Sequence, residues 1–394
     1  MGEVIIVGGG LGALRTAESL RGAGHSGPIT VVGDEPCLPY NRPPLSKDAL
    51  LTGIDMSALE FRRRPSVEDI TWKLGHRAIA SDLSTGTVTL DDGTSLEADG
   101  LVVASGIRPR RLPLSGPEEG RFVLRTAADA EQIRSRLTPG ARVLVMGAGF
   151  IGCELAATAR RLGCEVAIVA LDDEPMIRPL GPEVGAAMRR RHERQGVHFH
   201  LGLTVDSFQG DERVRSVRLS DGSELAADLV IEAVGSVPNV EWLEGNGLDL
   251  SDGVLVDSSM RAAHDRMPVV AVGDVARYPL ALFGPTPRRI EHWNMPTETG
   301  RRAGHTLAAL LAGQEPDRTP FTAMPAFWSD QYDHTLQSFG MPGLATTIEI
   351  TDGSLEEPCV IEYHDDAGLV GVVGIDRTKD VLGYRARLAE RSAS

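Results

Sequence analysis

An α/β fold of two strand–turn–helix units, followed by a smaller α+β domain, is what this sequence predicts. Three observations predict it. A short apolar run at the N-terminus opens straight into a glycine cluster. The same arrangement returns after residue 141. Past residue 317 the pattern changes to aromatic and strand-like runs (TTIEI, CVIEY, LVGVVGI). With 394 residues the chain is also too long for one ordinary core, at about 100–200 residues per domain.

Residues 3–7 (EVIIV) form an apolar, β-branched run of the kind found in a buried parallel strand. Gly8-Gly9-Gly10-Leu11-Gly12-Ala13 follows, then a helical stretch, LRTAESLRGAG, that stops at glycines. In this context Gly8 permits a tight turn and Gly10 lets the backbone approach a pyrophosphate. The helix N-terminus offers N–H groups to the anion. A second strand, ITVVGDE, ends in Asp34 and Glu35, where a ribose-binding acid is expected. Strand, turn, helix, strand and acid in this order predict a dinucleotide site.

The design recurs at RVLVM (142–146), Gly147-Ala148-Gly149-Phe150-Ile151-Gly152, the helix CELAATARRLG and the strand EVAIVA. Its strand-end position is Ala170 instead of an acid. Asp172, Asp173 and Glu174 follow, with no basic side chain immediately after them to grip a 2′-phosphate, which favours NADH over NADPH. Two such units in one chain suit FAD in one and a nicotinamide cofactor in the other.

Each unit is followed by a strand-rich stretch with an Asp-Gly turn, read as a small antiparallel meander ending in an apolar strand and a glycine. The apolar run before Gly273-Asp274 lies too far along to belong to the second unit and is expected to return to the first. The domains are therefore set at 1–111 with 236–316, 112–235, and a C-terminal α+β domain at 317–394.

Composition narrows the function. A net charge of −15 argues against bulk nucleic-acid binding. No run approaches the roughly 20 apolar residues of a membrane span, and MGEVIIVGGG lacks signal-peptide features, so a cytoplasmic location is expected. Cys37, Cys153, Cys164 and Cys359 form no CxxC pair, which argues against a zinc site or disulfide framework; no metal is expected. Arginines cluster at 62–64, 108–111, 288–289 and 301–302, either as solvated charge or as a patch for an acidic partner.

Four segments carry a resemblance: Pro39-Tyr40-Asn41-Arg42-Pro43-Pro44-Leu45-Ser46-Lys47, Gly147–Glu154, Glu291-His292-Trp293, and Phe327-Trp328-Ser329-Asp330-Gln331-Tyr332. In these the chain resembles, over its whole length, the FAD-dependent ferredoxin reductases of haem monooxygenases and aromatic-ring dioxygenases. These are a branch of the two-dinucleotide-fold flavoproteins, with Rossmann-like FAD and NAD domains. The resemblance implies hydride transfer from NAD(P)H to FAD, then single-electron transfer to an iron–sulfur ferredoxin. It puts Gly12 and Asp34 on the ADP part of FAD, alongside the turn glycines Gly8 and Gly10, with Arg42 and Arg125 near the diphosphate and Ala78 beside the adenine. Lys47 and Pro44 lie by the flavin ring, Asp274 by the ribitol and diphosphate, and Trp293 by the pyrimidine end. Trp328 helps close the pocket. On the nicotinamide side it implies Gly147, Gly149 and Gly152 in the turn, Glu154 near the nicotinamide and Gly235 along the path. Lys47 and Glu154 are expected to form an ion pair beside the reacting atoms. The chain departs from the family at Gly12-Ala13, where the usual order is Ala-Gly, and at Ala170.

The nearest alternatives are an NADH oxidase or peroxidase, a disulfide reductase and a rubredoxin reductase. The thiol-dependent ones need a cysteine beside the flavin. Here Cys37 precedes the PPLSK segment and Cys153 belongs to the second glycine turn. From another class, a flavin-bearing signalling protein switched by NADH would share the turns but turn over slowly.

Overall fold

The computed structural model describes residues 2–391. The chain runs through β1 (Val4–Val7), α1 (Leu11–Gly22), β2 (Ile29–Gly33), β3 (Thr71–Leu74) and β4 (Gly100–Val103). The second unit holds β5 (Arg142–Met146), α2 (Phe150–Arg161), β6 (Glu165–Ala170), α3 (Pro182–Arg194), β7 (Val197–Leu201) and β8 (Leu229–Glu232). Then come β9 (Val269–Ala271), α4 (Met295–Leu311) and the strands β10 (Ala326–Gln331), β11 (His334–Gly340), β12 (Thr347–Asp352), β13 (Cys359–Asp365) and β14 (Gly368–Ile375).

The first sheet has the order β9-β4-β1-β2-β3 and is parallel throughout, with β1 between β4 and β2. Its central strands β1 (VIIV) and β4 (GLVV) are buried on both faces, so they read as unbroken apolar runs. The late strand β9 does return to this sheet, beside β4. The second sheet, β7-β6-β5-β8 with Arg121–Phe122 at its edge, is also parallel. Each unit carries an antiparallel three-stranded meander, at Ala78–Asp82, Thr87–Leu90 and Ser95–Glu97, and at Val205–Gln209, Ser216–Leu219 and Glu224–Ala226. The two passes of chain between the units pair antiparallel, Ile107–Pro109 with Ser236–Pro238.

The C-terminal part is a five-stranded antiparallel sheet, β10-β11-β14-β13-β12, with two short helices after it. Helix α4 starts at Met295, five residues before the GRRAGH stretch that suggested it, because Pro296 fits the first turn, where no N–H partner is needed. Glycines let α4 lie directly on α1: a Cβ at Gly304 would sit 2.4 Å from the Ser19 Cβ. No helix among the described residues is long and apolar enough to cross a membrane.

Candidate active site between the two glycine turns

Both turns have the geometry of a phosphate cradle. Gly8 and Gly147 hold φ of 122° and 100°, and a Cβ there would overlap the Ala104 carbonyl oxygen at 2.0 Å or that of Ala233 at 2.3 Å. Only glycine brings each turn this close to the neighbouring strand end. Gly10 and Gly149 are the N-caps of α1 and α2, and neither helix start is capped by a side chain. Nothing lies within 4 Å of where their Cβ atoms would be. The first-turn N–H groups of both helices thus face open space that an anion can enter. Gly152 is needed for packing, since its Cβ would meet the Gly147 oxygen at 2.2 Å. Gly12 faces Val272 at 3.2 Å, and Gly235, at φ 99°, has nothing within 4 Å.

Past the first turn, Asp34 and Glu35 take different roles. Asp34 is exposed at the end of β2, whereas Glu35 accepts hydrogen bonds from Tyr40 Oη at 2.6 Å and from Arg42. Arg42 also donates to the Arg125 carbonyl at 2.7 Å. Arg125 and Asp274 approach at 3.5 Å. Burial holds the Asp274 carboxyl above its usual range, against the pull of Arg125, and lowers Arg125 in turn. One long contact leaves both charges short of partners, as a polar ligand between them would remedy. His292 Nδ1 is buried with no partner among the described residues. Trp293 stacks on Phe61 with ring centroids 6.3 Å apart, and Ala78 opens the first meander, buried.

Pro43–Ser46, with Pro44 in it, makes a single 3₁₀ turn that leads into Lys47. The Lys47 Nζ lies 3.0 Å from Glu154 Oε1, and the two side chains are only 14 % and 6 % exposed. The expected ion pair therefore forms, and it joins the first unit to α2 of the second. Two hydroxyls complete it. Ser46 Oγ donates to Glu154 Oε2 and Ser329 Oγ to Oε1, each at 2.6 Å. Thr158, one turn further along α2, donates to the Ser46 carbonyl at 2.8 Å. The sequence singled out neither serine; the available signal was Ser329 alternating with Phe327 and Gln331 on the buried face of β10. Trp328 stands on the other face of that strand, 37 % exposed, so β10 aims Ser329 at the ion pair and not Trp328.

Residues 2–300 match the pyridine nucleotide-disulphide oxidoreductase family, and residues 326–394 match its companion reductase C-terminal domain. The chain belongs to this family. It is 35 % identical over 392 residues to rhodocoxin reductase of Rhodococcus erythropolis, covering 98 % of this chain and 89 % of the relative. It is also 35 % identical to the ferredoxin–NAD(+) reductase component of the anthranilate 1,2-dioxygenase system of Burkholderia cepacia, over 98 % of this chain and 93 % of that one. Its structure superposes on the crystal structure of a covalent putidaredoxin reductase–putidaredoxin complex with a TM-score of 0.90, at 32 % identity, covering 99 % and 93 % of the two chains. Within the family the name points to disulfide chemistry, yet all four cysteines here are single. Cys153, Cys164 and Cys359 are buried, and burial pushes the Cys153 thiol far up.

Proposed function

We propose that this chain is an FAD-dependent NADH:ferredoxin reductase that serves a haem monooxygenase or a ring dioxygenase through an iron–sulfur ferredoxin. One observation carries the reading: a buried Lys47–Glu154 ion pair joins the units that bear the two open glycine turns, with no cysteine pair in the chain. The names of the relatives support the same activity and partner. Residues 1–111 with 236–316 form the flavin unit, 112–235 the nicotinamide unit and 317–394 the C-terminal domain.

The residues present fit FAD. Gly8, Gly10 and the start of α1 take the pyrophosphate, Gly12 closes the turn on Val272, and Asp34 is the exposed acid for the ribose. Ala78 lies by the adenine. Arg42 and Arg125 neutralise phosphate charge, and Asp274 accepts from ligand hydroxyls. Lys47, Pro44 and Trp293 bound the ring site, and Trp328 closes it from the exposed face of β10, away from the ion pair. Bound FAD supplies a two-electron acceptor for hydride that can release its electrons one at a time. Lys47 holds a positive charge at that site, and Glu154 keeps the ammonium in place while facing the nicotinamide.

Gly147, Gly149 and Gly152 cradle the nicotinamide cofactor, and Gly235 lines its path. Around Ala170, the selective elements are acidic. Leu171 is largely exposed, Arg189 grips Glu174 at 2.8 Å, and the exposed Arg178 is turned to Asp172 at 3.5 Å. The two arginines there both face acids instead of offering a free site for a 2′-phosphate, which supports NADH as the preferred donor.

The test is anaerobic titration of the purified protein with NADH and NADPH, followed by visible absorbance. Cytochrome c reduction is then measured with and without a ferredoxin. Bleaching by NADH and ferredoxin-dependent cytochrome reduction are expected. A protein without flavin overturns the reading, and flavin electrons that pass only to oxygen or peroxide move it to the oxidase branch.

A further inference from the structure

The Glu154 carboxylate is the inner end of a longer buried chain of side chains. Ser329 Oγ, which donates to Glu154, accepts from Gln331 Nε2 at 3.0 Å. Gln331 Oε1 lies 2.7 Å from His192 Nε2, and His192 Nδ1 lies 3.2 Å from the Tyr332 hydroxyl. Ser329, Gln331 and His192 are each no more than 1 % exposed. The links come from separate places: Glu154 from α2, His192 from α3, and Ser329, Gln331 and Tyr332 from β10 and the turn after it.

Every link in this chain has one allowed direction. Glu154 also takes the Lys47 ammonium and the Ser46 hydroxyl, so as a carboxylate it can only accept. Ser329 must then spend its single proton on Glu154 and accept from the Gln331 amide. That orients the Gln331 oxygen toward His192, whose Nε2 must carry a proton. Burial keeps the His192 ring neutral, with its pKa lowered to about 4, so Nδ1 is left to accept from Tyr332. Donation runs one way, from Tyr332 to Glu154. Hydrogen bonds aligned in this manner polarise and strengthen one another in a low-dielectric interior. An amide in the middle makes the column a poor proton wire. It is suited to holding a group still.

We propose that Ser329, Gln331 and His192 are positioning residues that lock the Glu154 carboxylate and, through it, the Lys47 ammonium for hydride transfer. The inference rests on the reductase reading above, and it adds that the C-terminal domain helps set the geometry of the reacting site. Nothing in the column touches substrate; its effect reaches the chemistry only through Glu154. Freed of the column, Glu154 and Lys47 gain rotamers, and the positive charge spends less time beside the flavin.

The experiment uses the full-length, flavin-loaded protein. Wild type is first shown to be reduced by NADH; if it is not, the reading and this inference fall together. Gln331→Leu, which keeps the volume and removes both amide links, is then compared with Ser329→Ala and Ser329→Thr by anaerobic stopped flow and by redox titration. For Gln331→Leu and Ser329→Ala, the limiting rate of flavin reduction is expected to fall about fivefold, the effect of losing one hydrogen bond. The apparent dissociation constant for NADH should stay within about twofold. Their flavin midpoint potentials should become more negative, and Ser329→Thr, which keeps the hydroxyl, should restore both quantities. Normal rates and potentials in the two flavin-replete variants overturn the proposal. If they fail to fold, Tyr332→Phe decides it, since it removes only the outermost hydroxyl. A more negative potential supports the column, and an unchanged potential and rate refute it.

Discussion

His192 shows what a single buried ring does to the pH response of the whole fold. It has no exposed surface, Tyr332 meets it edge-on with ring centroids 5.1 Å apart, and its pKa is lowered to about 4, chiefly by burial and secondarily by the charge of His334. The Gln331 hydrogen bond opposes that shift and is too weak to reverse it. The sign follows from linkage. Between about pH 6.5 and pH 4 the unfolded chain binds a proton at this residue and the folded chain does not, so acid favours unfolding. The contribution is fully present above the unfolded pKa and is lost as the pH falls toward 4. Relative to a His192→Asn variant, wild type should lose about 1.5 kcal/mol of stability between pH 6.5 and pH 5. Denaturant melts of both proteins at the two pH values check this, and parallel losses would show that His192 is not the group responsible.

Among the elements, the helix pair α1 and α4 leaves no room for a side chain at its seam. A Cβ at Gly304 meets Ser19 Cβ at 2.4 Å and Leu20 N at 2.9 Å, and one at Gly300 meets the Gly12 oxygen at 3.0 Å. Backbone cannot move aside as a flexible side chain can. Gly304→Ala should therefore cost about 1–3 kcal/mol despite alanine's better helix propensity, read as a lowered melting temperature. Because α1 also begins the first phosphate turn, the same variant should bind flavin less tightly. The turns themselves were legible in the sequence, since a phosphate cradle needs glycine at fixed spacing between a strand and a helix. The return of β9 to the first sheet was legible too, from an apolar run too distant for the second unit. The start of α4 was not, because Met295 and Thr297 lack a strong helical signature and only Pro296 marks the first turn. The serines at 46 and 329 escaped because a hydroxyl's meaning depends on what faces it, and Glu154 is remote from both in the chain. His192 was hidden in MRRRHER, which reads as a solvated basic helix. Its place on the buried face shows only from the spacing of Val184, Met188 and His192.

At the scale of the whole molecule, the charge balance decides where a negatively charged partner can approach a chain of net charge −15. Most of the arginine clusters are already engaged. Arg108 pairs with Glu241, Arg111 with Glu118, Arg289 with Asp252 and Glu291, Arg301 with Glu298 and Arg302 with Asp317. Arg288 and Arg110 donate to carbonyls. Arg64 reaches Glu18 at 3.5 Å, whereas Arg62 and Arg63 are exposed and meet no carboxylate among the described residues. They directly follow Phe61, whose ring stacks on Trp293 beside the proposed flavin site. Their charge is thus open to a partner that docks on this face, beside the proposed flavin site. Attraction between exposed charges is screened within about 10 Å at 0.1 M salt, so ferredoxin-dependent cytochrome c reduction should slow steadily as salt is raised. An Arg62→Ser/Arg63→Ser double variant should raise the KM for ferredoxin about threefold or more at low salt and flatten that dependence. Flavin reduction by NADH, measured without ferredoxin, should be unchanged, because both side chains are exposed and neither is among the residues assigned to the cofactors. A double variant with the wild-type salt profile would move the docking surface away from this face.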